Sequence, residues 1–196
     1  MTTITAPGAG GRLADLAGLP GYRAGTWTID PVHSDLSFTA RHMMVSKVRG
    51  AFRRFSGQIV TADDPLESTA TATVDMSSVD TNNEQRDAHL RTSDFFDIER
   101  YPAMTYRSTR LRVDEGQIVV DGDLTLRGVT RPVPLRVEFN GIGPDAYGGT
   151  RAGFTAAATI NRRDFGVNWN AAIDSGGVVV GDKVTLQLEI EAVLNP

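Results

Sequence analysis

Apolar residues recur at every second position through most of this chain, which is the pattern of strands with one buried face. In the stretch DPVHSDLSFTARH, the side chains of Leu36, Phe38, Ala40 and His42 share one face, and polar residues occupy the other. The same alternation predicts about eight strands, over residues 26–41, 50–61, 67–79, 104–113, 117–127, 133–140, 148–160 and 182–194.

Two segments depart from this alternation. Residues 82–97 contain helix formers after an Asn cap, so we predict a short helix in which Asp87 and Arg91 pair at i and i+4. Phe52 and Phe55 are three apart, with glycines nearby, which predicts a bulge or sharp bend between them.

Strands joined mostly by hairpins must bury one face of each strand, either in a closed barrel or between two stacked sheets. We predict an all-β fold, an eight-stranded antiparallel lipocalin-like barrel with a short helix near its mouth. Several inward positions are small, including Ala40, Ala70, Ala72 and Ala156, and small linings leave space for an apolar ligand. The alternative is that these alanines only relieve crowding in a tight sheet.

Residues 1–25 are rich in glycine and small residues, and they predict a flexible lead-in to one barrel domain over residues 26–196. Asp15, Gly18 and Pro20 interrupt the only apolar stretch of this lead-in, so it lacks the hydrophobic segment of a secretory signal. No stretch reaches the roughly 18 apolar residues that span a bilayer. A cytoplasmic location is therefore expected.

The 196 residues are 40% hydrophobic and 22% charged, as in one soluble globular domain. The net charge of −4 and the dispersed arginines argue against nucleic-acid binding. The chain has no cysteine, which removes disulfides and thiolate chemistry. No catalytic motif is found, so we assign no catalytic residue, no metal site and no cofactor.

Three polar residues are candidates for contacting the headgroup of a ligand. His42 ends the apolar row of the first strand, and Arg86 and His89 are three apart on one face of the predicted helix. An arginine fork suits phosphates and carboxylates. The alternative is that structural ion pairs tie this helix to the barrel rim.

Four motifs occur in order along the chain: TWTIDPVHSDLSFTARHMMVSKVRGAFRRFSG, SSVDTNNEQRDAHLRTSDFFDIERYPAMTYRST, VDGDLTLRGVTRPVPL and NRRDFGVNWN. Through them, residues 26–194 resemble the YceI-like family of polyisoprenoid-binding, lipocalin-like bacterial proteins, and look most like its actinobacterial branch. The resemblance implies a long apolar tunnel that in some members holds an isoprenoid, quinone or fatty amide chain. It implies binding and not catalysis.

Strand parity and motif position together predict the lining of this tunnel. The barrel residues are Leu36, Phe38, Ala40, Phe52, Phe55, Val74, Met76, Phe154, Leu186 and Leu188, and the helix-side residues are Leu90, Phe95, Phe96 and Tyr101. The leading hypothesis is a non-enzymatic protein that binds, carries or sequesters an apolar small molecule, with a bound isoprenoid or quinone as ligand. The alternatives are a rim-site enzyme that uses His42 or His89, and a filled barrel that serves as a homodimeric interaction scaffold.

Overall fold

The computed structural model describes residue 18 and residues 21–43, 45–146, 148–171 and 178–196. The strands are β1 (Gly25–Ile29), β2 (Asp35–His42), β3 (Ser46–Phe52), β4 (Phe55–Thr61), β5 (Thr69–Asp75), β6 (Val79–Asp80), β7 (Ala103–Asp114), β8 (Gln117–Leu126), β9 (Val129–Pro132), β10 (Leu135–Pro144), β11 (Thr150–Asn161) and β12 (Val180–Leu194). The helix α1 spans Glu84–Arg91, and 3₁₀ turns span Pro65–Glu67, Met76–Ser78 and Arg162–Phe165. The lead-in predicted over residues 1–25 lies largely outside the described residues.

These strands form a closed eight-stranded antiparallel barrel, which confirms the predicted fold class. Neighbouring strands pair in the order β1, β4, β5, β7, β8, β10, β11 and β12, and β12 pairs with β1 to complete the ring. The long β12 also pairs with β2, which continues the line of β1. In the same way, β4 continues β3, β6 continues β5, and β10 continues β9, each along a single line of the barrel wall. The twelve strands therefore form the eight lines of the barrel.

The bends within these lines change which positions face inward. Trp27 and Ile29 are buried in β1, whereas Leu36 and Phe38 are buried in β2, so the inward parity reverses across residues 30–34. The predicted break between Phe52 and Phe55 is confirmed, since β3 ends and β4 begins at these residues. A bend of this kind lets two residues of opposite parity face the same interior.

The helix α1, which was predicted near the barrel mouth, lies beside the end of the barrel that side chains fill. The Phe38 ring lies over Gly50, where an added Cβ would approach it within 2.5 Å, and it packs 5.5 Å from the Phe52 ring. The Phe52 ring in turn lies 6.0 Å from that of Phe96. Further members come from loops, including Phe95 and Phe165. The residues that fill this end form a set that we call the plug: Phe38, Phe52, Phe95, Phe165, Met76, Val79, Leu126, Ile160 and Val167.

The helix is held against the barrel by its polar residues. Asn83 caps the helix, as predicted, by accepting a hydrogen bond from the Arg86 amide at 2.9 Å. The predicted pairing of Asp87 with Arg91 is wrong. Asp87 is buried and accepts hydrogen bonds from the backbone and hydroxyl of Thr81, while Arg91 donates to the carbonyl oxygens of Ser77 and Val79. Contacts to the barrel satisfy both groups more completely than an exposed pair would.

Within the described residues, no helix is both long and apolar enough to cross a membrane.

Candidate functional site: an apolar cavity inside the barrel

The half of the barrel away from the plug encloses a cavity of about 220 Å³. A site of roughly 10–15 Å³ holds one water molecule, so this volume is on the order of fifteen times larger. Inward side chains of all eight strand lines surround it. The lining comprises Tyr22, Trp27, Ile29, Leu36, Phe55, Ile59, Thr61, Pro65, Ser68, Thr69, Ala70, Thr71, Ala72, Val74, Met104, Thr105, Tyr106, Leu111, Ile118, Val120, Leu124, Val133, Leu135, Val137, Phe139, Ile142, Ala152, Phe154, Ala156, Leu186, Leu188 and Ile190.

Several inward side chains of this half are only partly buried. On β10, Leu135, Val137 and Phe139 face the interior and yet are only half-buried, because the space in front of them is empty. By contrast, plug residues such as Met76 and Phe165 are 1% exposed. Apolar surface that a fold leaves uncovered inside a barrel is surface that an apolar ligand can cover.

The cavity reaches the barrel end where β1 begins and β4 ends. Tyr22 precedes β1 and donates a hydrogen bond to the Ala62 carbonyl oxygen at 2.6 Å. The Trp27 indole donates to Thr61 Oγ1 at 2.8 Å, and Thr61 in turn lies 2.8 Å from the Arg23 carbonyl oxygen. These bonds fix aromatic and hydroxyl groups around the mouth of the cavity.

One hydroxyl lies deeper in the lining. The Tyr106 hydroxyl donates towards the carbonyl oxygens of Val120 and Val133, at 2.9 and 3.1 Å. Burial raises the pKa of this phenol, with a smaller contribution from the carboxylates of Asp121 and Asp123. Tyr106 therefore stays neutral at physiological pH and presents an uncharged oxygen to the cavity.

The structure divides the residues that were predicted to line the tunnel into two groups. Those lining the cavity are Leu36, Phe55, Val74, Phe154, Leu186 and Leu188. Phe38, Phe52, Met76 and Phe95 belong to the plug, Leu90 and Phe96 pack against it, and Ala40 and Tyr101 also lie outside the lining. Tyr101 covers Gly128, whose φ of +72° and close approach to that ring leave no room for a side chain.

The three headgroup candidates are not brought together at the cavity. His42 ends β2, where its backbone pairs with Ser46 and Val180. Arg86 donates to the hydroxyl and carbonyl oxygens of Thr81, at 2.7 and 2.8 Å. The His89 ring lies 2.8 Å from Asp94 and packs edge-on against Phe95 and Trp169. All three lie at the plug end of the barrel.

Many of the residues that line the cavity were missed by sequence reasoning, although the alternation that turns them inward is visible in the sequence. Leu135, Val137 and Phe139 alternate in a predicted strand, and Ile118 and Val120 share one face of the strand before it. Tyr22, Thr61 and Ser68 had no such signal, because they lie at strand ends and in a loop.

A charged cluster lies on the outer surface, around the bend between β1 and β2. Asp30, His33 and Glu191 have side-chain atoms of the kind that ligate metals, within 4.8 Å of one another. The Arg151 guanidinium, however, already donates to Asp30, at 2.7 Å, and to Glu191. These hydrogen bonds, with that to Asp145, raise the pKa of Arg151. The positive charge of Arg151 therefore already occupies the place between these carboxylates that a metal ion would take.

A closed antiparallel barrel with an apolar interior cavity defines a protein of the lipocalin-like class. Residues 27–192 match the YceI-like domain, and the chain belongs to this family. A UPF0312 protein of Staphylococcus epidermidis is 41% identical over 167 residues, which cover 84% of this chain and 95% of that protein. A UPF0312 protein of Staphylococcus aureus is 38% identical over the same shares. These relatives are staphylococcal and do not support the actinobacterial branch that the motifs favoured.

Solved structures show the same barrel. A YceI protein of Campylobacter jejuni has a TM-score of 0.67 at 29% identity, over 80% of this chain and 90% of that one. BcnA of Burkholderia cenocepacia has a TM-score of 0.70 at 24% identity, over 83% and 98%. A polyisoprenoid-binding domain from Saccharophagus degradans has a TM-score of 0.66 at 18% identity, over 88% and 100%.

Proposed function

We propose that this protein binds and carries, or sequesters, a long apolar small molecule such as an isoprenoid, a quinone or a fatty chain, without catalysing a reaction on it. The observation that carries the proposal is the apolar cavity in one half of the barrel, where inward side chains such as those of β10 are left partly exposed. One structural neighbour is a polyisoprenoid-binding domain, from Saccharophagus degradans. At 18% identity that likeness shows the fold alone, so the proposal rests on the cavity.

The energetics of such binding are favourable. Each buried CH₂ group contributes about 0.8 kcal/mol, so one five-carbon isoprene unit contributes up to a few kcal/mol. The cavity is enclosed on all sides by strands and ends at the plug, which suits an elongated chain that enters from the mouth. Because apolar contacts are not directional, a lining of this kind discriminates by length and shape of the chain.

The two alternatives have less support in the geometry. A rim-site enzyme needs a polar pair at the substrate, and neither His42 nor His89 lies in the lining. A filled scaffold needs a fully packed interior, whereas the cavity leaves part of this interior unfilled. The cytoplasmic location stays a prediction, which fractionation of the native host would check.

Native mass spectrometry of freshly purified protein, followed by organic extraction, tests the proposal. We expect a stoichiometric apolar compound that is released by the solvent and that rebinds to the stripped protein. Protein that purifies without any such compound, and that also fails to bind added isoprenoid alcohols, quinones and fatty amides, would contradict it.

A further inference from the structure

Within the described part of the chain, the lining of the cavity contains no side chain with a formal charge. The lining residues whose side chains face inward carry hydroxyls and one indole N–H, and most of these protons are already donated within the protein, as at Tyr22, Trp27 and Tyr106. Thr69, Thr71 and Thr105 border the cavity from outward, exposed positions of β5 and β7. Ser68 differs. Its oxygen accepts from the Ala62 amide at 3.1 Å, and among the described residues nothing accepts its proton. Among the described residues, the mouth therefore offers the inward hydroxyl of Ser68 as a donor and several oxygen acceptors, all neutral.

One loop beside the mouth carries three carboxylates. Asp63, Asp64 and Glu67 lie in the loop between β4 and β5, directly beside the lining residues Pro65 and Ser68. All three are exposed, and none makes an ion pair within the described part of the chain. The Asp64 carboxylate accepts a hydrogen bond from the Leu66 amide, at 2.9 Å. This acidic loop would repel an anion that approached the mouth.

Two of the basic residues at this end are already paired with carboxylates. Arg112 is paired with Asp114 and Asp121, and Arg151 with the cluster around Asp30. Arg23, which precedes β1, is exposed, as are Arg107 and Arg110 on β7, the strand that contacts the Pro65–Glu67 turn, and none of the three makes an ion pair within the described residues.

From this arrangement we infer that the cavity selects a chain with an uncharged hydrogen-bonding headgroup, such as an alcohol, quinone or amide, over the same chain with a phosphate headgroup. The inference rests on the proposed function. A charged headgroup inside the cavity would lose its hydration without gaining a counter-ion. A charged headgroup left outside would face the carboxylates of Asp63, Asp64 and Glu67. A neutral headgroup meets neither cost and can accept the Ser68 proton.

The test compares farnesol with farnesyl diphosphate, two probes that share one chain. Both compete for stripped protein against a fluorescent fatty probe, at low ionic strength. We expect farnesol to bind at least about tenfold more tightly. Raising the salt concentration should narrow this difference by strengthening diphosphate binding, because exposed charges are screened.

Charge-reversal variants test whether the acidic loop causes the preference for farnesol. The double variant D63K/E67K should improve the affinity for farnesyl diphosphate at least about fivefold and leave that for farnesol within about twofold. The matched control E84K/D164K changes the net charge equally but at the plug end, and it should leave both affinities near those of the unmodified protein.

The outcomes separate this inference from the proposed function. Farnesyl diphosphate that binds as tightly as farnesol, above all if R23Q abolishes that binding, would overturn the inference and leave the carrier function standing. Binding of neither farnesol nor a longer isoprenoid alcohol would overturn both.

Discussion

Ala156 and Ala157 are neighbours on β11 whose side chains lie on opposite faces of the barrel wall. Ala156 is buried and lines the cavity between Val137 and Leu188, its cross-strand partners, whereas Ala157 is exposed on the outer surface. The pair therefore allows one chemical change to be made inside and outside the cavity at adjacent positions.

A phenylalanine at each position tests whether the cavity is the binding site. A156F places a ring in the space that the ligand would occupy, so we expect affinity for a long-chain isoprenoid alcohol to fall at least about tenfold. A157F adds the same ring outside and should leave affinity within about twofold. Titration of both purified variants with the alcohol, after thermal melts confirm folding, gives the comparison. Equal affinities in the two variants would place the ligand elsewhere.

Asp30 makes the stability of the fold dependent on acid pH. Hydrogen bonds from Arg151 and then from His33 hold the pKa of the Asp30 carboxyl well below its ordinary value. Above an ordinary carboxyl pKa near ~4, Asp30 is ionised in both the folded and the unfolded chain, and its stabilising effect is fully present. As the pH falls below that value, the unfolded chain binds the proton first, so this stabilisation is lost.

The variant D30N should remove this dependence. At neutral pH we expect its free energy of unfolding to be lower by on the order of 1 kcal/mol, and below about pH 4 to fall less steeply than that of the unmodified protein. The amide keeps the Asp30 oxygen that accepts from the Val32 amide at 2.9 Å. Urea unfolding at a series of pH values measures both effects, with D35N, at an exposed carboxylate, as the control. Parallel curves for D30N and the unmodified protein would show that the ion pair contributes nothing.

At the scale of elements, the barrel depends on a buried arginine to hold two loops together. Arg162, 4% exposed, donates to the carbonyl oxygens of Val167 and Trp169, at 2.7 and 2.8 Å, and to those of Val180 and Gly181. Burial lowers the pKa of Arg162 from its ordinary value. The guanidinium thus joins the 3₁₀ turn after β11 to the start of β12.

Removing this guanidinium leaves several carbonyl oxygens without a donor. We expect R162A to lower the free energy of unfolding by about 3 kcal/mol or more. The adjacent Arg163, whose side chain is 46% exposed and pairs with Asp182, provides the control, and R163A should cost less than about 1 kcal/mol. Urea denaturation measures both costs, and hydrogen exchange should show faster opening of residues 162–169 in R162A alone. Similar costs for the two variants would contradict this role.

The elements themselves were largely predictable because alternation is a local property. The strands, the Asn83 cap and the bend between Phe52 and Phe55 all follow from residues close in sequence. The position of the cavity was not predictable, because parity tells which face a side chain takes and not its level along the barrel axis. Phe52 and Phe55 both face inward, yet one belongs to the plug and the other lines the cavity. That difference depends on Phe95, Phe96 and Phe165, which distant loops supply.

At the scale of the whole molecule, the barrel has one filled and one empty half, and the plug sets the boundary between them. Phe52 lies at this boundary, since it packs against Phe38 and Phe96, while Phe55, just across the bend, faces the cavity. The depth available to a ligand is therefore fixed by aromatic side chains and not by the length of the strands. A carrier built in this way should select the length of its ligand.

We expect affinity for isoprenoid alcohols to rise with each added unit and then to level off once the chain reaches the plug. F52A should cost about 3–5 kcal/mol of stability and lengthen the cavity, so that affinity continues to rise for at least one further unit. V119A is the control, because Val119 is equally buried but lies on the outer face, between its cross-strand partners Arg112 and Arg136. It should be destabilised by about 1–3 kcal/mol without any change in the preferred length. Titrations with alcohols of two to six isoprene units measure these profiles. An unchanged profile in F52A would mean that the plug does not limit the ligand, because removing its central ring would have opened no usable depth.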